Sequence, residues 1–407
     1  MMSEAGVTAD AWTVVQLGEI AERRTTSWQP GGAAVPYVGL EHIRPYELEL
    51  LDCGNSDSVG SNKTVFCEGD ILYGKLRPYF RKCVQAPYAG VCSTDIWVIT
   101  TKNPKDVDQG FLYWVLADIS FSDFANQGET GTRMPRANWG YVSGYEVALP
   151  TIDEQRRIRD LLDVVATLIE QKRRLVDHFD QMIQAEGAYA IEASEEVTEV
   201  RLVDVATFTN GYSYTSEELV EVSSSALVNL KNFGRRGGFR LDGLKPFVGN
   251  PKASQIVSPG DVLVAKTDLT QEAEVVGRCM RMPLLPKFES YVASLDVAIV
   301  RPSGILSKEV ILSLLSQPDF REHCLGYANG TTVLHLSKEA LPAYVLPIPD
   351  SERVLTLDTV VRTLATQQDV VLDSLQKLIE ARDALLPALL AGEITIEKAE
   401  QIVGGLS

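Results

Sequence analysis

The sequence predicts an α+β protein in which two similar mixed α/β domains are separated by two long helices packed as an antiparallel coiled coil. Three observations predict it. "LPTIDEQRRIRDLLDVVATLIEQKRRL" (Leu149–Leu175) switches at one proline from a β-rich, turn-rich stretch into a long helical pattern, and the switch at Pro150 recurs at Pro349, 199 residues later. The stretches preceding the two switches carry the same landmarks in the same order. At 407 residues, with 45% hydrophobic and 23% charged side chains, the chain is ordinary globular protein but too long for one core.

The landmarks run as follows. "VVQLGEIAERRTTS" (Val14–Ser27) answers to "EVRLVDVATFTNGYS" (Glu199–Ser213), and "GDILYGKLRPYF" (Gly69–Phe80) to "GDVLVAKTDLTQ" (Gly260–Gln271). "VCSTDIWVIT" (Val91–Thr100) answers to "YVASLDVAIV" (Tyr291–Val300), and "GTRMPRANWGYVSGYEVALP" (Gly131–Pro150) to "GTTVLHLSKEALPAYVLPIP" (Gly330–Pro349). Gly-Asp ahead of an apolar run is turn chemistry. Period-2 apolar runs predict strands at Val65–Phe66, Ile71–Tyr73, Ile96–Ile99, Val262–Val264 and Val297–Val300. Gly110–Gln127 and Ser307–Cys324 each predict a short helix. The resulting domains are 1–150, 151–198 (first long helix and linker), 199–349, and 350–407 (second long helix and tail).

Thr151 with Glu154 three residues on has capping-box spacing, so the first long helix starts there and is expected to stop at Gly187. Its seam reads Ile158, Leu161, Val165, Leu168, Lys172, Leu175, Phe179 and Met182, alternating spacings of three and four. The second starts near Asp350 or Ser351 and ends near Gly392. Its seam is Val354, Leu357, Val361, Leu364, Gln368, Val371, Leu375, Leu378, Arg382, Leu385 and Leu389, with Pro387 expected to kink or fray the last turn. Lys172 and Gln368 sit mid-seam, where a polar residue costs stability but fixes register. About 35 residues make a rod of ~52 Å.

Composition excludes several classes. No apolar run approaches the ~20 residues of a membrane span, and "MMSEAGVTADAW" lacks the basic start and apolar core of a secretion signal. Six scattered cysteines (Cys53, Cys67, Cys83, Cys92, Cys279, Cys324), with no CxxC pair, read as reduced thiols in a cytoplasm. The net charge of -17 opposes nucleic-acid binding, yet it is uneven. Residues 151–200 hold 6 basic and 12 acidic side chains, whereas 201–349 hold 15 of each. Phosphate-binding glycine loops, a His-Glu-x-x-His pair and a Gly-x-Ser-x-Gly elbow are all missing from the sequence.

A domain ending in "GTR…LP", then "EQRRI" opening a long helix, with the whole repeated, resembles the specificity subunit of type I restriction-modification systems. The first copy carries Gly131-Thr132-Arg133, Leu149-Pro150, Glu154-Gln155 and Ile158, and "GDILYGKLRPYFRK" is similar to a common segment of that family's target-recognition domains. The second copy departs, with "DSERVL" (Asp350–Leu355) in place of the Glu-Gln pair and "GTT" in place of Gly-Thr-Arg. The resemblance implies a non-catalytic DNA-recognition subunit. Each domain would read one half of a bipartite, asymmetric site in double-stranded DNA. The helical pair would set the spacing and dock two methylation subunits, with restriction–translocase subunits as further partners. It implies no cofactor on this chain, S-adenosylmethionine being expected in the methylation subunit. A coiled-coil scaffold that binds only protein is the alternative.

The residues suited to DNA contact cluster in loops. Lys75, Arg77, Arg81 and Lys82, interleaved with Tyr79, suit phosphates and base edges, and they also suit a solvated strand end. Arg133, Arg136 and Asn138 offer bidentate donors, or a turn satisfying its own backbone. In the second domain Lys231, Asn232, Arg235, Arg236 and Arg240 form a glycine-spaced basic loop. Lys266, Thr267 and Asp268 correspond to the Lys75 segment, and Thr331, Thr332 and His335 to the Arg133 loop.

Overall fold

The computed structural model describes residues 12–128, 134–235, 237–269, 272–304 and 306–405. Of the candidate contacts, Arg133 and Arg236 lie outside the described residues. The chain divides into two compact units, one of Met1–Leu168 with Leu378–Ser407 and one of Ile169–Lys377.

In the first unit an antiparallel sheet takes the order Ala21–Arg24, Ile96–Thr101, Ile71–Gly74, Cys83–Gln85. All four residues of Ile71–Gly74 are buried, so this central strand is covered on both faces where an alternating run would have one face exposed. A second, mixed sheet pairs Pro36–Val38 in parallel with Gly90–Cys92. The second unit repeats this topology. Its sheet order is Ala206–Asn210, Val297–Pro302, Val262–Ala265, Cys279–Arg281, and Ser225–Val228 runs parallel to Ser290–Ala293. All five expected strands are present.

The Gly-Asp landmarks form the same turn in the two units, each aspartate held by an arginine from a different strand of its sheet. Gly69 (φ 85°) and Gly260 (φ 83°) adopt the left-handed region that glycine enters without cost. Asp70 then accepts from Cys67 N at 2.8 Å and from Arg24 Nε at 2.8 Å. Asp261 accepts from Ser258 N at 3.1 Å and from Arg301 Nε at 3.1 Å.

Each expected short helix is split in two. Asp118, extended at φ -66°, ψ 148°, separates Gln109–Ala117 from Ile119–Gln127 and caps the latter through Ser120 N at 2.8 Å. Gln317 and the first-turn Pro318 divide Lys308–Leu315 from Pro318–Gly326. Proline fits a first turn because it has no N–H to leave unpaired. The apolar periodicity crosses both breaks, so it hid them.

The long helices are Ile152–Glu192 and Ser351–Leu390. The capping box forms as expected, with Glu154 N to Thr151 Oγ1 at 3.4 Å and Thr151 N to Glu154 Oε2 at 3.1 Å. Asp350 caps the second helix through Arg353 N at 3.0 Å. The helix does not stop at Gly187. A methyl group there would collide with Ser313 O, so this glycine admits a close helix–helix approach inside the second unit. Pro387 lies inside the second helix, which ends at Leu390 before Gly392 at φ 67°. A further helix, Ile396–Gly404, occupies the expected tail and is capped by Thr395.

Both seams depart from the expected positions. On the first helix the buried stripe is Ile158, Leu162, Val165, Ile169, Val176, Ile183 and Ala190, with Leu161 also buried. Leu168 and Phe179 are only half-buried, and Leu175 (43%) and Met182 (36%) are exposed. A strict 3-4 count begun at Leu161 therefore lands one residue short from Leu168 onward. On the second helix Leu357, Val361, Leu375, Leu378, Arg382, Leu385 and Leu389 are buried as expected. Ala365 and Leu372 are buried in place of Leu364 and Val371, which are half-buried. Within the second unit Gln368 Nε2 donates to Val176 O at 3.3 Å, and Arg353 lies 5.8 Å from the Tyr189 ring centroid. Numbers rise on one helix as they fall on the other, so the pair is antiparallel.

Candidate nucleic-acid interface

In the first unit the chain leaves the sheet after Gly74 and meets the segment 134–138. Lys75 N donates to Asp95 O at 2.9 Å, Ala137 N to Lys75 O at 2.9 Å, and Arg77 N to Pro135 O at 2.8 Å. The two basic segments singled out in the sequence thus lie side by side. Arg136 forks onto Asp95 with Nε at 2.9 Å and Nη2 at 3.3 Å.

The backbone here is unusual. Arg77 (φ 52°) and Arg81 (φ 50°) flank the turn Pro78–Phe80, and Tyr46 (φ 65°) and Leu48 (φ 58°) lie in the facing loop. Tyr46 N donates to Phe80 O at 3.0 Å, joining the two. Non-glycine residues at positive φ cost of order 1–3 kcal/mol each and collect where a surface must be held in one shape. Arg77 is exposed and Tyr79 is 42% exposed, so both are presented outward. Lys75 is half-buried. Arg81 and Lys82 turn inward, donating to Ala117 O at 3.1 Å and to Leu40 O respectively. Asn138 caps the short helix Trp139–Val142 through Gly140 N at 2.8 Å.

The second unit builds the same junction from other residues. Lys266 N donates to Asp296 O at 2.8 Å and Leu336 N to Lys266 O at 2.7 Å, while Thr267 and Asp268 pair with His335 and Leu334. Burial lowers the pKa of Lys266, whose ammonium donates to Asn210 Oδ1 at 2.8 Å. Thr331, Thr332 and His335 are exposed. Lys231 and Arg235 are exposed, and Arg235 pairs with Glu274 at 3.0 Å. Arg240 donates to Asp242 through Nε at 2.9 Å.

Three residues expected at the surface are instead used inside the fold. Asn232 is 0% exposed and donates to Arg240 O at 2.8 Å while accepting from Asn229 N at 2.9 Å. Thr267 is buried and donates to Asp296 Oδ1 at 2.8 Å. Asp268 is buried and accepts from Val275 N at 2.6 Å and Val276 N at 3.1 Å. A short polar side chain beside a strand end satisfies backbone donors first. The orienting aspartates, Asp95 and Asp296, were visible in the sequence only as repeat landmarks.

The fold and these loops define a duplicated α+β module that presents two differently built, partly basic surfaces. Residues 9–177 match the family model for the type I restriction modification DNA specificity domain. The resemblance read from the sequence is thereby shown over those residues. The chain is also 32% identical, over 186 residues, to the EcoDI type I restriction enzyme specificity subunit of Escherichia coli. That match takes in 43% of this chain and spans 40% of the relative's length. Among solved structures, the HsdS subunit of Thermoanaerobacter tengcongensis is 18% identical, covering 97% of this chain and 99% of that one at a TM-score of 0.36. The type I S subunit from M. genitalium is 15% identical, covering 96% and 98% at 0.48. Another chain, from a type I R-M system, is 20% identical, covering 94% and 98% at 0.44.

Proposed function

We propose that this chain is the DNA-recognition subunit of a type I restriction-modification complex, each globular unit reading one half of a split, asymmetric site in duplex DNA. The observation that carries this reading is the repetition, in the second unit, of the sheet order and loop junction of the specificity-domain segment, with different side chains at the junction. One scaffold with two different loop sets suits two different half-sites. In this reading the long helices, 41 and 40 residues and so each about 60 Å long, fix the distance between half-sites. Their acidic surfaces dock two methylation subunits, with nuclease–translocase subunits joining the complex. The chain itself is non-catalytic and cytoplasmic, and S-adenosylmethionine belongs to the methylation subunit. Among the described residues no helix is long and apolar enough to cross a membrane.

Arg77, Tyr79 and Lys75 of the first unit, and Lys231, Arg235, Thr331, Thr332 and His335 of the second, are the proposed contacts. Arg136 contributes by leaving Asp95 for a base edge or by holding its loop. The test is selection of duplexes from a random library by the complex with its methylation subunits. Enrichment of two short motifs at one fixed gap, with affinity falling steeply as salt rises, is the expected result. Replacing one phosphate-contacting cation, as in Lys231→Ala, lowers the salt slope by about 1. Absence of any enriched motif or salt dependence favours the protein-only scaffold.

A further inference from the structure

In the second unit one polar chain connects both long helices, the sheet and the basic loop. Asp180, on the first long helix, accepts from Gln368 Nε2 at 2.7 Å through Oδ1. Gln368 Oε1 accepts from Arg281 Nη2 at 3.2 Å, and Arg281 forks onto Asp369 at 2.5 and 3.1 Å. Gln368 and Arg281 are 3% and 8% exposed, so the chain is built into the core rather than laid on the surface. Asp180 Oδ2 is buried and accepts no hydrogen bond among the described residues. What lies against it is backbone. A methyl group on Gly238, which has φ 79°, would collide with Oδ2. Gly234 N donates to Gly238 O at 3.0 Å and Gly237 N to Gly234 O at 3.0 Å, closing the loop tip over the carboxylate. Asp180 and Gly238 also line a cavity of about 300 Å³.

The charged groups around Asp180 come from every packed element. They are Asp177 on its own helix, Asp369 on the second helix, Arg281 on the strand Cys279–Arg281 with Arg278 just before it, and Arg321 and Glu322 on the helix Pro318–Gly326. Two adjacent left-handed glycines in a basic loop need an external support to hold one shape, because glycine loses the most conformational freedom on ordering. Among the described residues, the three heavy atoms nearest a Cβ at Gly238 all belong to the Asp180 carboxylate.

We propose that Asp180 is a positioning residue for the second recognition loop: it seats Gly237–Gly238 on the first long helix and, through Gln368 and Arg281, locks that seat to the second helix and the sheet. The inference rests on the reading of 231–240 as a DNA-contacting loop, because it makes the strut itself part of the reading head. A change in how the helices pack at Gln368 then alters the pose of Lys231 and Arg235 without touching either.

The experiment is hydrogen–deuterium exchange of the full chain, comparing Asp180→Ala with Asp180→Asn, alongside duplex-DNA binding by the complex with its methylation subunits. Asp180→Ala is expected to speed exchange in 231–240 at least tenfold and to weaken DNA binding, with exchange in Val297–Pro302 unchanged. Asp180→Asn keeps an oxygen for Gln368 and is expected to restore both within twofold. Unchanged loop exchange in the alanine variant overturns the proposal, as does an equal rise in the sheet. Should Asp180→Ala fail to fold, Gln368→Leu, which removes the hydrogen bond to Asp180 without touching the loop, is read with the same expected and overturning results. Faster loop exchange in an assembly whose native form binds no DNA leaves the seat standing and removes the DNA reading instead.

Discussion

The two places where a long helix leaves its domain occupy equivalent positions and are built with different chemistry. In the first unit Gln155, fully buried, accepts from Asp108 N at 2.9 Å and donates to Asp106 O at 3.0 Å and Pro150 O at 2.9 Å. The residue 199 positions later, Val354, is half-buried and packs on the apolar core of the second unit. Arg159 pairs with Asp108, the cap of Gln109–Ala117, at 2.6 Å. In the second unit Asp358 instead bonds Ser307, the cap of Lys308–Leu315. Trp114 Nε1 donates to Asp163 at 2.9 Å, and the matching pair is Ser313 and Arg362, with Arg362 turned to Asp358 and Glu309. Both joints bury a helix start on a domain. Only the backbone plan is shared, so each joint tolerates its own set of side chains.

Substitutions at matched positions break this comparison most sharply. Trp114→Ala removes a large, 1% exposed ring and its hydrogen bond to Asp163. It is expected to cost about 3–5 kcal/mol in denaturant unfolding of the first unit, against roughly 1 kcal/mol for Ser313→Ala. An equal cost at both sites would contradict the assigned roles. Along the first helix, Ile183→Ala should cost about 2–5 kcal/mol while its neighbour Met182→Ala stays within about 0.5 kcal/mol. The reverse order would restore the simple 3-4 seam. Gln155→Leu leaves a buried amide donor and two carbonyls unpaired and is expected to cost about 1–3 kcal/mol. Asp350→Ala, which loses a cap, should cost about 1 kcal/mol.

A pH dependence is carried by Asp180. Burial pushes its pKa up to about 7, above the ordinary carboxylate value near 3.9. The folded chain therefore holds this proton more tightly than the unfolded chain does. Its contribution to stability is complete below about pH 4 and is lost as pH rises through about 7. Asp180→Asn should flatten that slope in melts of the second unit between about pH 4 and 7. A slope unchanged by the substitution would show that Asp180 is ionised throughout.

The duplication, the helix starts and the five expected strands were legible because each rests on local signals: a proline, a cap, an alternating run. The breaks at Asp118 and Gln317 were hidden because apolar periodicity continued across them. The one-residue drift of the first seam came from packing, since Leu168 and Ile169 are equally apolar and only the neighbouring surfaces choose between them. The loops were legible as basic. Their internal partners were not, because Asp95 with Arg136 and Glu274 with Arg235 are joined through the fold, 41 residues apart in the first case. Asn232 and Asp268 suited DNA contact for the same reason that they are used inside the fold: each is a short side chain with hydrogen-bonding groups close to the backbone.

In the proposed reading the two differently built units read one split sequence in duplex DNA. A single-molecule methylation map of the host genome, with and without this gene, tests it most directly. The expected result is loss of one asymmetric motif made of two short half-sites at a fixed gap. An unchanged map, obtained with the complex expressed and its methylation subunits present, would contradict it.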